Sequence, residues 1–298
     1  MLSENLLPGA RASIELSVVM PAFNAASTIG AQLDALQSQE WSGSWEVVVA
    51  DNGSTDNTVA IVSARAATDS RIRLIDAGEV RGASHARNSA IAASTGTSIA
   101  FCDSDDVVGD RWVAAMGSVL RDYPFVTGPQ EYVLLNEPWL HGVYGTRPAT
   151  ELQLFADIFP FGPTANLGIS RELFERLGGF DRSIAVYEDL ELCLRAWLAG
   201  VDLQFVPAAM VHYRYRSSMR GLWKQAVSYG AATPDIARRL KVAGRLRPPP
   251  WRGVKNWLWL LRRLPSLRSQ AGRAKWVVVA GGCAGRLRGS IRARHLTL

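Results

Sequence analysis

Three carboxylates follow a short apolar run in Ile99-Ala100-Phe101-Cys102-Asp103-Ser104-Asp105-Asp106. Ile99 to Cys102 has the make-up of a buried strand, which puts the acids at its carboxyl end. In open α/β sheets that end faces the ligand crevice. Carboxylate oxygens spaced as Asp-x-Asp are hard ligands, suited to Mg²⁺ or Mn²⁺ held jointly with a substrate's phosphates. A solvated acidic turn uses the same residues, and the tetrapeptide alone does not separate the two readings. A second pair of acids, Glu188-Asp189, opens a helical pattern. Acids there are favoured by the helix dipole, and a carboxylate so placed can also take a proton from an attacking hydroxyl. Asp51 closes a further apolar run, Trp45 to Ala50, and Arg81 precedes Gly82 at the start of a helix. A guanidinium in that position can hold phosphate oxygens bidentately.

These residues need a scaffold that brings strand ends together. Strands are expected at 17–21, ended by Pro21, and at 45–50, 72–75 and 98–102. Helices are expected at 26–39, with Ser27 as N-cap, and at 82–93. Strands alternating with helices predict βαβ units and a largely parallel sheet, with residues 1–106 as a nucleotide-binding half. Farther on, 110–120, 171–177 and 188–198 read as helices, and 124–134, 203–206 and 210–215 as strands. The aromatic stretch 136–163 reads as irregular. Pro248-Pro249-Pro250 makes a stiff break before helical segments at about 251–264 and 267–292.

Five segments in this order resemble family 2 glycosyltransferases of the GT-A fold. They are Ser17-Val18-Val19-Met20-Pro21-Ala22-Phe23-Asn24, Val48-Val49-Ala50-Asp51-Asn52-Gly53-Ser54-Thr55-Asp56, and Ala86-Arg87-Asn88 through Asp103-Ser104-Asp105-Asp106; then Gly178-Gly179-Phe180-Asp181 and Glu188-Asp189-Leu190-Glu191-Leu192-Cys193-Leu194-Arg195. The resemblance covers about residues 14–215. It implies an α/β, GT-A (Rossmann-like) mixed and mostly parallel sheet flanked by helices, and a metal-dependent, inverting hexosyl transfer from a nucleoside-diphosphate sugar, UDP-sugar favoured, to a glycan or lipid-linked acceptor. On this resemblance Pro21, Ala22 and Phe23 wall the base and ribose, Asp51 meets a uracil-type base, and Arg81 faces the diphosphate. Asp103 and Ser104 lie on the donor, with Asp103 at the ribose. Asp105 holds Mn²⁺ or Mg²⁺, with Asp103 and His212 as further candidates. Asp189 is the general base. Thr164, Asn166, Gly168, Glu188 and Trp139 fall on the acceptor side. Arg87 and Asn88 brace the donor loops. The Gln-x-x-Arg-Trp motif of processive members is missing from the sequence, which argues for transfer of a single sugar. A nucleotidyltransferase on a similar sheet is disfavoured, since no Gly-rich, Lys-bearing phosphate loop lies near the N-terminus. A non-catalytic nucleotide-sugar or glycan-binding protein at a membrane is the remaining alternative.

The 298 residues carry a net charge of +6, very unevenly placed. Residues 1–202 hold 13 Arg and no Lys against 26 acids; residues 203–298 hold 20 Lys and Arg against Asp235 alone. The domain organisation expected is therefore a transferase domain at 1–215, its acceptor half at 107–215, and a basic helical C-terminal extension at 216–298. In the extension Trp251, Val254, Trp257, Leu258, Leu261 and Leu264 recur at helical spacing beside Lys255, Arg262 and Arg263. A basic amphipathic helix with tryptophans suits an anionic membrane surface; the same stripe would also serve to pack the helix on the domain. No nucleic-acid module accompanies the charge. Three distant cysteines make no disulfide framework or zinc site. Residues 1–15 lack a signal pattern and no run reaches the roughly 20 apolar residues of a membrane span. The expectation is a cytoplasmic protein, peripheral on the inner face of the plasma membrane.

Overall fold

A computed structural model describes residues 14–244 and 253–293. Pro248-Pro249-Pro250, Trp251 and most of the 1–15 segment lie outside the described residues. The centre is a seven-stranded sheet. Valine-rich runs form β1 (Leu16–Ala22) and β2 (Trp45–Asp51), joined by β3 (Ile72–Asp76) and β4 (Ser98–Phe101) in a parallel block ordered β3-β2-β1-β4. Beyond β4 lie β10 (Leu167–Ser170), antiparallel to both its neighbours, then β6 (Phe125–Thr127) and β11 (Gln204–Phe205). The mostly parallel sheet expected from the alternating pattern is present, and the antiparallel β10 is an addition to it.

Successive side chains on a strand point to opposite faces, and both faces here are covered. Val18, Met20, Val47 and Val49 meet Ile29, Leu33 and Leu36 of α1 (Ile29–Gln37), Val62 of α2 (Thr58–Ala66), and Trp112, Val113 and Met116 of α4 (Trp112–Val119). Val19, Val48, Ile99 and Phe101 meet α3 (Ala83–Ala93), α6 (Arg171–Arg176) and α7 (Glu188–Leu198). Strands buried on both faces read as continuous apolar runs, which is why β1, β2 and β4 are plain in the sequence.

Pro21 does not end β1; it pairs with Ala50 and the strand continues to Ala22. Val19 carbonyl accepts from Cys102 N–H on the β4 side. Pro21, two residues on, faces that same side, where β4 has already finished, so its missing N–H costs no ladder bond. Nor does Ser27 cap α1. Thr28 occupies that place without a side-chain cap, and the preceding backbone is tied instead to the start of α2: Ala25 N–H donates to Thr58 Oγ1 at 2.8 Å and Ala26 N–H to Asp56 Oδ2 at 3.1 Å.

The 136–163 segment is not irregular throughout. It holds α5 (Pro138–Tyr144), with proline in its first turn, and a hairpin of β8 (Gln153–Phe155) and β9 (Phe159–Phe161). The hairpin turns on Ala156 and Asp157, both at positive φ, without the glycine that would announce it. Short strands β5 (Val107–Val108), β7 (Gln130–Glu131) and β12 (Val211–His212) form a small second sheet.

After it come α8 (Met219–Val242), α9 (Val254–Arg262) and α10 (Gln270–Ala293). α8 and α10 pack backbone to backbone. A Cβ on Gly285 or Gly289 would strike the carbonyl oxygen of Val227 or Ala231. Arg239 of α8 pairs with Asp181 at 3.1 Å and with Glu191 of α7 at 3.0 Å, which docks α8 on the sheet domain. The three cysteines are buried and free. Among the described residues no helix is long and apolar enough to cross a membrane.

Candidate active site

The carboxyl ends of β1, β2 and β4 converge, and the loops after them carry the predicted residues. Asp51 at the end of β2 is 7% exposed. Its Oδ2 accepts from Gly53 N–H at 3.1 Å and Ser54 N–H at 3.0 Å, while Oδ1 is buried with no partner. A buried acceptor without a donor is costly in a folded chain. Asn52 holds the next turn by donating to the Ala77 and Val80 carbonyls and accepting from Gly82 N–H. Phe23, beyond Pro21 and Ala22, is 52% exposed. Arg81 lies over its ring, 4.4 Å from the centroid, and donates to the Asn52 carbonyl at 2.7 Å. Pro21, Ala22 and Asp51 thus close the paired strands β1 and β2, with Phe23 and Arg81 on the segments beside them.

Asp103, Asp105 and Asp106 present carboxylate oxygens within 4.8 Å of one another; Ser104 between them is buried. Asp106 is 1% exposed; Oδ1 accepts from Arg214 N–H at 2.7 Å, and Oδ2 is buried without a partner. Burial, then the charges of Asp103 and Asp105, push its carboxyl well above the usual carboxylate range. Burial and Asp103 push Asp105 up as well, against the pull of Arg216, whose Nη1 lies 3.2 Å from Asp105 Oδ2. Three crowded acids with an unpartnered oxygen suit a hard divalent cation, which would relieve their repulsion. Asp106 joins the group, a role the sequence reading did not give it. His212 is not in the group: its Nδ1 is 2.9 Å from Glu131 Oε2, and that pair accounts for the ring's placement.

Arg87 ties the two acidic motifs together. It is buried, and its Nη2 donates to Asp103 Oδ1 at 2.7 Å and its Nη1 to Glu188 Oε1 at 2.5 Å. Burial opposes its charge, yet Asp103 and Glu188 leave the guanidinium held above its ordinary pKa. Asn88 exchanges two hydrogen bonds with the Phe180 backbone, clamping the Gly178-Gly179-Phe180 turn.

Asp103, Arg87, Glu188 and Asp189 line one cavity of about 490 Å³, walled also by Thr164 and by α8. Asp189 accepts from Leu190 N–H at 2.7 Å and Thr164 N–H at 3.3 Å. Burial first, then neighbouring Glu188, push its carboxyl up to about 7, where it can exchange a proton near neutral pH. Asn166, Gly168 and Trp139 do not reach this wall. Asn166 is saturated in the core, accepting from Trp112 Nε1 and donating to the Pro129 and Ala209 carbonyls. Gly168 lies mid-sheet, where a Cβ would come within 2.7 Å of Val126 Cγ2. Trp139 packs with Leu140, Leu222 and Ala274. The wall also includes Tyr187, Tyr213, Arg216, Lys224 and Tyr229, which the sequence reading passed over. Tyr187, at φ 71, is a left-handed residue just ahead of Glu188, and its ring stacks on Tyr229 at 5.0 Å. Only the contact with α8 reveals its place.

A family model described as glycosyl transferase family 2 matches residues 17–178, and one described as glycosyl transferase family group 2 matches 98–281. The chain is 42% identical over 287 residues to the succinoglycan biosynthesis protein ExoO of Rhizobium meliloti, covering 88% of this chain and 80% of that one. It is 39% identical over 99 residues to the UDP-Glc:alpha-D-GlcNAc-diphosphoundecaprenol beta-1,3-glucosyltransferase WfgD of Escherichia coli, covering 33% of this chain and only 36% of that relative's length. Among solved structures, a mannosyltransferase from Pyrobaculum calidifontis in complex with GDP-Man and Mn²⁺ superposes with a TM-score of 0.67 at 19% identity, over 96% of this chain and 89% of the other. That likeness establishes the GT-A fold.

Proposed function

This chain belongs to glycosyl transferase family 2, and we propose that it moves one sugar from a nucleoside-diphosphate sugar to an acceptor hydroxyl with inversion at the anomeric carbon. The observation that carries this reading is the single cavity in which Asp103, from the acidic triad, and Asp189 meet. Asp51 Oδ1, unpaired and buried, receives an N–H of the base. The exposed Phe23 ring covers the base and ribose, and Arg81 beside it faces the diphosphate. The acceptor hydroxyl attacks the anomeric carbon as the bond to the diphosphate oxygen breaks, and its proton passes to Asp189. Glu188 is held by Arg87. Residues 1–215 are the transferase unit in this reading, with 216–298 as a docked extension.

The oxygens of Asp103, Asp105 and Asp106 are the residues that would hold Mg²⁺ or Mn²⁺. Such an ion, when bound, supplies positive charge to the leaving diphosphate. Arg216 and Lys224 line the same cavity and can share that load.

The extension supports a membrane-side location. Val254, Trp257, Leu258 and Leu261 of α9 stand out from the surface, 40–67% exposed, rather than facing the domain. Lys255, Arg262 and Arg263 flank them. Such a surface fits the interface of an anionic bilayer and a lipid-linked or membrane-proximal acceptor.

The test is release of nucleoside diphosphate from UDP-, GDP- and dTDP-sugars with Mn²⁺ or Mg²⁺. One donor class should turn over, UDP-sugars first, and EDTA should abolish release. Full turnover in EDTA would remove the metal from this account, and no release from any donor would remove the transfer reading.

A further inference from the structure

A second cavity, of about 570 Å³, adjoins the first. The two share Tyr187, Tyr213, Gln225 and Tyr229 as wall residues. The second lies between the sheet domain and helices α8 to α10, and its size is within the roughly 300–1,000 Å³ of small-molecule sites. Of the chain's 7 tyrosines, Tyr132, Tyr187, Tyr213, Tyr215 and Tyr229 line it. Tyr132 and Tyr215 lie parallel, 5.5 Å apart at 8°.

Two polar groups in its wall are left without partners. Gln130 Oε1 accepts from the Tyr132 hydroxyl, but Gln130 Nε2 is buried with none. Arg286 Nη2 touches Cys283 Sγ at 3.3 Å, and Arg286 Nε is buried with none. Neither residue takes part in the donor or proton chemistry above. Buried N–H groups lacking acceptors are rare, and two in one cavity point to oxygens supplied by a ligand. The chemistry of the wall says which ligand. Aromatic faces take the C–H face of a sugar ring, and amide and guanidinium N–H groups take its hydroxyls and ring oxygen. A lipid tail would leave the same N–H groups unpaired.

Tyr187 is two residues from Asp189, so a ring held here adjoins the ring whose hydroxyl meets Asp189. We propose that this tyrosine-lined chamber is an acceptor subsite for a second sugar unit, and that the acceptor is at least a disaccharide. The proposal rests on the transfer reading.

The test uses the full-length enzyme with its donor. Nucleoside diphosphate release is measured with no acceptor, with methyl monosaccharides and with the matching methyl disaccharides. For the sugar that is used, the disaccharide should have a kcat/KM higher by about tenfold or more. Gln130→Leu and Arg286→Met should each erase most of that gain while leaving acceptor-free release unchanged. Equal kcat/KM for mono- and disaccharide in the wild type, or a gain that survives both substitutions, overturns the subsite. Absence of any acceptor-dependent release overturns the transfer reading and the subsite with it. Should a substitution also abolish acceptor-free release, the wild-type comparison decides alone.

Discussion

Arg87 is the residue on which the site's geometry turns. One buried guanidinium spans Asp103 and Glu188, so the donor end of β4 and the first turn of α7 cannot move independently. Removing one member of a buried ion pair leaves the others uncompensated, at a cost of about 3–5 kcal/mol. Arg87→Met should lower stability by an amount of that order in urea unfolding, and lower kcat more than tenfold in whatever fraction folds. A variant with wild-type stability and turnover would show that the bridge is incidental. The acids themselves were readable from position: Asp51, Asp103 and Asp105 close apolar runs, and Asp189 opens a helix. The bridge between them was not, because Arg87 and Glu188 are 101 residues apart and no local pattern joins them. Asn166 and Gly168 misled for a related reason. Their sequence position was near the acceptor wall, but Asn166 closes a 3-10 turn and is drawn into the core by Trp112 of α4, and Gly168 on β10 is closed in by Val126 of β6.

At the scale of elements, the parallel block was legible because its strands are buried on both faces and therefore plainly apolar. The two-residue strands β5, β7, β11 and β12 carry too few side chains to show a period. α8 was obscured by Pro234 in its interior and by its small residues. Those small residues are what let α10 approach. Gly285→Ala would put a Cβ against the Val227 carbonyl oxygen, whereas Gly282→Ala meets only Arg286 Nη1 at 3.7 Å. Overpacking of a tight contact costs about 1–3 kcal/mol, while alanine at an uncrowded helix glycine gains up to about 1 kcal/mol. Urea unfolding followed by circular dichroism should therefore rank Gly285→Ala below wild type and Gly282→Ala level with or above it. The reverse order would mean that α8 and α10 are not packed as described. Because α8 supplies Tyr229 and Lys224 to the cavity wall, Gly285→Ala should also weaken turnover.

Across the whole molecule, charge and apolar exposure are segregated. Residues 1–202 carry a net −13 and residues 203–298 a net +19. Val254, Trp257, Leu258 and Leu261 form an outward face on α9. Burying one such side chain contributes about 1.5–3 kcal/mol, so Trp257→Glu with Leu261→Glu should cut the partition onto phosphatidylglycerol vesicles at least about tenfold. Binding of the wild type should fall with added salt, since screening acts within about 8 Å at physiological ionic strength. Equal partition of variant and wild type, or no preference over phosphatidylcholine, would return α9 to a packing role. In the proposed reaction the outward face of α9 and the acidic crevice both serve one step, the loss of the acceptor's proton to Asp189. Its raised pKa has a definite sign: below about 7 the carboxyl is protonated and cannot accept, so turnover should fall as pH drops through that value. The most direct measurement is kcat from about pH 5 to about pH 9 for wild type and Asp189→Asn, with donor KM recorded alongside. The account predicts a wild-type limb rising near pH 7, a loss of about 10²-fold or more in Asp189→Asn, and little change in donor KM. A variant with near wild-type kcat and the same rising limb would contradict it.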